Sequence, residues 1–246
     1  MGGGHHGGGL GAVEAVAAGD SPVHRLDPRV KIIGLIGLVL VAVTLPPGAW
    51  AAFGALVVIL LALIIVAGLR PHYVLGRMTI EVPFLLAAAV LPFTAEDGLV
   101  LGASVALKVS ISVLAMVILS STTPFPSLLR GFEMLKAPRL ILTIVAFMWR
   151  YLHVLAAEVS RMQTARAARG YSAGWLWQAA STGPLVATLF LRSLERGERV
   201  HLAMRSRLYD GSMPRQATGH FQTGTADVLF LTSLAVLLVL IVVVLA

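Results

Sequence analysis

No cysteine occurs among the 246 residues. That excludes a disulfide framework, a thiolate metal site and a thiol nucleophile; it leaves the redox compartment undetermined. Charge is scarce as well. Asp, Glu, Lys and Arg make up 13% of the chain, against about 25% in soluble domains. With 57% hydrophobic residues and a mean hydropathy of +0.87, the composition is that of a membrane protein. Lysine stands only at 31, 108 and 136, each time after an apolar residue. There is therefore no Gly-Lys-Ser/Thr phosphate loop, and the chain is no ATPase by itself. No His-x-x-x-His pair or carboxylate cluster sits at ligand spacing. No catalytic site, metal site or cofactor is expected, and the chain reads as a non-enzyme. The start, Met1-Gly-Gly-Gly-His5-His6-Gly-Gly-Gly, lacks a basic stretch followed by an apolar one, so it is not read as a secretory signal. Residues 1–24 read as a flexible tail, on which two adjacent imidazoles make a poor metal site.

What charge there is lies unevenly. Residues 120–218 hold thirteen of the nineteen Lys/Arg and five of the twelve acids, a net +8, while the rest of the chain sums to −1. Short basic stretches beside apolar runs mark the cytoplasmic side. Arg25, Arg29 and Lys31 precede the first apolar run and read as an anchor that keeps the N-terminus inside.

The expected fold is an all-α, polytopic membrane bundle of about five spans. Four fall in residues 25–119: Val30–Leu45, Ala49–Leu69, a kinked segment Met78–Phe93 with Glu81, Pro83 and Pro92, and Leu99–Leu119. The fifth is 226–246, with Asp227 near its start. Lys108 sits near the middle of the fourth span, where an ammonium in lipid costs at least about 2.5–3.5 kcal/mol. It must face protein or water; functional coupling and interhelix packing with Ser104 or Ser112 both fit.

Residues 120–218 read as a cytoplasmic helical domain. Thr123-Pro124 opens a helix that Pro138 stops. Leu140–Trp149 is a largely apolar run of ten residues between Arg139 and Arg150, too short to span, and is expected to lie in the interface. From Arg150 the pattern turns amphipathic: Glu158, Arg161, Met162, Ala165 and Arg169 share a broad face, and Gly170 suits a left-handed stop. Trp175 and Trp177 follow at interface depth or in a helix contact. A second helix opens at Gly183-Pro184, with Arg192, Arg196, Arg199, Ala203 and Arg207 on one stripe and Glu195–Arg199 as an i,i+4 pair. Two helix ends, Arg166-Ala-Ala168-Arg169-Gly170 and Ala203-Met-Arg-Ser206-Arg207-Leu208, echo each other. An arginine among small residues suits a forked contact with a carboxylate in a close-fitting groove. The same arginines also suit anionic lipid headgroups. Nucleic acid is not expected, because the juxtamembrane position already accounts for the charge.

Several stretches together resemble the transmembrane T component of energy-coupling factor (ECF) transporters, of the cobalt-transport CbiQ type. They are Ser21-Pro-Val-His24-Arg-Leu26-Asp27-Pro28-Arg29-Val-Lys31; Thr123-Pro124 with Leu128, Leu135 and Pro138; Arg150-Tyr151; Glu158-x-x-Arg161-Met162-x-x-Ala165-Arg166-x-Ala168-Arg169-Gly170; and Arg192 to Arg207. The resemblance covers nearly everything from Asp20 onward. It implies a non-catalytic coupling subunit of an ATP-driven cobalt uptake transporter in the bacterial inner membrane. Its implied partners are two ATP-binding ABC ATPase subunits, a substrate-binding membrane subunit and a small accessory membrane subunit. Nickel and vitamin systems use a similar component. The family's two Ala-Arg-Gly signatures, which dock into the ATPases, fall on Ala168, Arg169 and Gly170, and on Ser206, Arg207 and Leu208. Glu158, Arg161, Arg166, Arg196, Arg199 and Ala203 lie on the supporting helices. At the second signature only the arginine is retained, and Leu208 lacks glycine's backbone freedom.

Overall fold

The computed structural model describes residues 19, 21–93, 97–170, 183–209, 224–241 and 243. The readings of the glycine tail, of Trp175 and Trp177, and of residues 94–96 lie outside these. Among the described residues every regular element is helical: α1 (Pro22–Arg25), α2 (Pro28–Thr44), α3 (Trp50–Ala67), α4 (Pro71–Met78), α5 (Val82–Ala88), α6 (Gly98–Thr122), α7 (Phe125–Met134), α8 (Arg139–Ala168), α9 (Gly183–Arg205) and α10 (Thr225–Leu240). Two compact units result. One comprises Met1–Leu135 and Gly219–Ala246, the other Lys136–Thr218.

In the first unit, α3 shows why the chain needs lipid. Phe53, Leu56, Leu60 and Ile64 recur at helical spacing and are buried, yet Val58, Leu61 and Ile65 on its other side are exposed. A helix apolar all round has no face fit for water. Its end is a Schellman cap: Gly68 takes φ 67, its N–H reaches the Ile65 carbonyl, and Leu69 N–H reaches Ile64. The core gathers Leu38, Leu56, Leu60, Ile111 and Ile118 from α2, α3 and α6.

Close approach depends on two glycines one helical turn apart on α6. A β-carbon at Gly98 would lie 2.6 Å from Pro92 Cα, and one at Gly102 would lie 2.9 Å from the Ala88 carbonyl oxygen. The Gly-x-x-x-Gly spacing thus lets the irregular 79–93 segment lie directly on α6.

Among the described residues three helices are long and apolar enough to cross a membrane: α3, α6 and α8. The remaining expected spans are shorter or irregular there. α2 has 17 residues and α10 has 16. The segment Met78–Phe93 is no single helix. Pro83 and Pro92 divide it into a 3-10 turn at Thr79–Glu81, the seven-residue α5 and a second 3-10 turn at Leu91–Phe93. Residues 120–135, expected with the cytoplasmic helices, belong to the first unit. α6 runs on to Thr122, and Gly131 of α7 seats against Ile32 and Pro28 of α2.

Candidate functional site

The second unit is built from α8 and α9. No glycine or proline interrupts residues 139–169, and arginine is a good helix former. The expected ten-residue interfacial helix is therefore not separate. Arg150 leaves the helix intact, and one 30-residue helix carries both the apolar run and the amphipathic stretch. α9 begins at Gly183 with Pro184 in its first turn.

Glu158 joins the two helices. Its carboxylate accepts hydrogen bonds from Arg161 on α8 and Arg192 on α9. Those bonds, Arg161 first and Arg192 second, hold its carboxyl below the usual carboxylate range. Arg192 was placed on the arginine stripe without a partner; the acid 34 positions earlier supplies one. Arg199 pairs with Glu195 at 3.6 Å, as the i,i+4 spacing predicts, with both side chains about two-thirds exposed. Arg166 is half-buried and Ala203 exposed, its carbonyl accepting the Ser206 hydroxyl at 2.9 Å. Beneath the bridge, Phe147, Tyr151 and Leu155 of α8 face Val200, Met204 and Tyr209 across an apolar groove of about 330 Å³, which Arg196 also lines. The rings of Phe147 and Tyr151 stack at 6.3 Å.

The two helix ends have the same backbone construction. At the first, Ala168 is the last helical residue, Arg169 is the cap, and Gly170 turns left-handed at φ 83. Arg169 N–H reaches the Arg166 carbonyl and Gly170 N–H reaches Ala167, each at 3.0 Å. At the second, Arg207 N–H reaches Met204 and Leu208 N–H reaches Arg205, again at 3.0 Å, and Tyr209 N–H returns to Met204 at 3.1 Å. That is a Schellman cap with leucine in the position usually held by glycine. Leu208 has φ 61, so the expected loss of backbone match does not occur. The left-handed conformation costs an L-residue roughly 1–2 kcal/mol. Arg207, expected on the α9 stripe, lies past the helix end at Arg205. Arg169, Arg207 and Leu208 are all exposed, and neither guanidinium has a partner among the described residues.

Lys108 lies in the first unit and acts within the chain. Its ammonium donates to the carbonyls of Val43 and Leu45, both at 2.8 Å. Val43 needs that donor, because the residue four positions on is Pro47, which has no N–H. One turn away on α6, Ser104 accepts from Gly48 N–H at 3.2 Å. Lys108 therefore satisfies the end of α2, and the Ser112 hydroxyl donates to the Lys108 carbonyl at 2.8 Å.

The sequence reading missed a buried polar cluster. Asp27 (1% exposed), Lys31 (3%) and Asp227 are buried with Thr122 and Thr123. Lys31 Nζ donates to the His24 and Thr122 carbonyls at 3.1 and 2.9 Å and to Thr123 Oγ1 at 3.3 Å. Asp227 accepts from Asp27 N–H at 3.0 Å and from Gly224 N–H at 2.9 Å. Lys31 is thus an interior group, although it reads as a surface anchor. The i,i+4 spacing of Asp27 and Lys31 and the lone acid opening the last apolar run were the available signals. Among the described residues no group of three or more His, Asp or Glu is placed to hold a metal ion.

Apolar helices that present hydrophobic side chains on every face, together with two helices capped by exposed arginines, define a helical membrane protein with a polar helical unit. The CbiQ family profile, described as cobalt transport protein, matches residues 19–218. The chain belongs to this family, a transmembrane component of the energy-coupling factor type. It is 26% identical over 238 residues to the energy-coupling factor transporter transmembrane protein EcfT of Acidaminococcus fermentans, covering 86% of this chain and 88% of that one. It is 27% identical over 233 residues to a putative fused cobalt transport protein CbiMQ of Methanocorpusculum labreanum, covering 86% and 39%. With an uncharacterized protein of Methanocaldococcus jannaschii it shares 33% identity over 118 residues, 48% of this chain and 44% of that one. The match therefore spans under half the length of the latter two relatives and most of EcfT.

Proposed function

We propose that this chain is the non-catalytic coupling subunit of an ATP-driven cobalt uptake transporter in a bacterial inner membrane. In this reading the Arg169 and Arg207 ends of α8 and α9 lie on the cytoplasmic side, and the two helices carry the motion of two ABC ATPase subunits to a substrate-binding membrane subunit, which selects the metal. The observation that carries it is the pair of matched helix ends. Each presents an exposed arginine at the cap and a left-handed residue after it, at Arg169–Gly170 and Arg207–Leu208. A guanidinium held by a defined turn suits a forked contact with a carboxylate in a groove, and two such ends suit two similar grooves. The family membership supports the transport role; the name EcfT on several relatives specifies no substrate, so a nickel or vitamin system is the second reading.

Replacing Arg169 and Arg207 together by Glu is expected to abolish co-purification of the ATPase subunits and cobalt uptake. Normal uptake by that double variant would remove the proposal. Replacement by Lys separates it from simple lipid attraction: a lipid contact tolerates lysine, whereas a forked contact does not.

A further inference from the structure

Of three successive arginines on α9, two have an acid and one does not. Arg192 takes Glu158 and Arg199 takes Glu195, whereas Arg196, half-buried between them, has no acidic partner among the described residues. It is also the one of the three that lines the apolar groove between α8 and α9. A guanidinium at the edge of an apolar surface keeps unused donors where a charged acceptor gains more than it does in open water.

Gly197, the next residue, lines the same groove. Glycine weakens a helix interior, and no close helix contact requires it here: a β-carbon at 197 would meet nothing within 4 Å. What the missing side chain leaves is space in the groove wall. The Glu158–Arg192 bridge stands at one end of the groove, with Leu155 and Arg196 each one turn further in. The other end is closed by Phe147, Met204 and Tyr209, the last drawn in by its N–H bond to the Met204 carbonyl. The groove therefore offers an unpaired cation at one end and aromatic and apolar surface at the other. Its volume, about 330 Å³, also limits the occupant. Two turns of a partner helix about 10 Å across would fill roughly 800 Å³, so the groove takes a narrow chain and not a helix.

We propose that this groove binds one acidic phospholipid, with its phosphate at Arg196 and an acyl chain lying past Gly197 toward Phe147 and Tyr209. The lipid has the same order of polarity as the groove, an anion that accepts from the guanidinium and a narrow apolar tail behind it. This is a single seated molecule, distinct from the diffuse attraction of a basic surface for anionic headgroups. It is independent of the coupling role proposed above.

The test titrates the full chain, stripped of lipid in detergent, with phosphatidylglycerol and reads bound lipid by native mass spectrometry. Wild type is expected to bind one lipid, and R196Q to bind it about tenfold more weakly through loss of a charge-assisted contact. G197L places a side chain in the groove and favours the helix. It is expected to lose the lipid to a similar extent while its Tm without lipid stays level or rises. R199Q removes the same charge from an exposed position outside the groove and is expected to bind within about twofold of wild type. If R199Q weakens binding as much as R196Q, the lipid is held by surface charge in general and the inference is overturned. Unchanged binding by G197L overturns it too, since the acyl chain then lies elsewhere. Inorganic phosphate that displaces the lipid equally from wild type and G197L shows a site for the anion alone, which is a third refutation. If G197L keeps the lipid and instead loses a membrane subunit that co-purifies with wild type, the groove is a protein contact and the lipid assignment is wrong.

Discussion

Glu158 on α8 and Arg192 on α9 are ion-paired across 34 positions of sequence, and Arg161 shares the same carboxylate. The pair fixes the register of one helix against the other near the middle of the second unit. Its pH dependence follows from the lowered carboxyl pKa. A depressed folded-state value means that the contribution is present above the ordinary carboxylate pKa of about 4.3 and is lost as pH falls through the folded value. Distances between spin labels on α8 and α9 are therefore expected to stay constant from about pH 8 to about pH 5 and to broaden only in stronger acid. E158Q is expected to broaden them at every pH. A transition centred near neutrality would count against this bridge as the register-setting contact.

Lys108 caps the carbonyls of Val43 and Leu45. Replacing it by Leu removes the donor, and a hydrogen bond to a charged group contributes about 1.5–3 kcal/mol. K108L is expected to insert normally and to unfold at lower temperature in detergent, whether or not any partner is present. If the chain alone is as stable as wild type and only complex assembly suffers, the cap is not what the lysine is for.

Gly102 has room for a hydrogen but not for a methyl group. In G102A the new β-carbon would lie 2.9 Å from the Ala88 carbonyl oxygen, which is backbone and cannot swing aside. Overpacking of this kind costs about 1–3 kcal/mol. Gly54 on α3 provides the control: nothing lies within 4 Å of its β-position. There alanine has up to about 1 kcal/mol of helix propensity to gain. Thermal unfolding is expected to rank G54A at or above wild type and G102A clearly below. Equal stability of the two variants would remove the close-packing account of α6.

The helical, lipid-facing character was legible in the sequence, because it follows from composition and from apolar runs. The cap at Gly170 was legible too, since glycine after a periodic stretch is a local signal. What depended on partners distant in sequence was not. Lys31 reads as an anchor because it stands beside Arg29, and only the return of Thr122 and Asp227 makes it interior. Lys108 was recognisable as a group in need of a partner, but its acceptors lie 63 and 65 positions earlier, in the carbonyls of Leu45 and Val43, the latter left without an amide donor by Pro47. Arg150 misled in the other direction: a charge inside an apolar run was taken as a boundary, although nothing in its backbone chemistry ends a helix. At Leu208 the rule that glycine is needed at a left-handed position gave way to a cap whose three backbone hydrogen bonds hold a leucine there.

The hydrogen bond from Asp27 N–H to Asp227 connects residues 200 positions apart. During synthesis, the start of α2 leaves the ribosome long before its acceptor exists. The Asp27 amide must therefore wait for its acceptor until α10 arrives, and closure of the bundle becomes a late event. A chain cut short before Gly224 keeps its early helices but lacks the acid that receives the Asp27 amide.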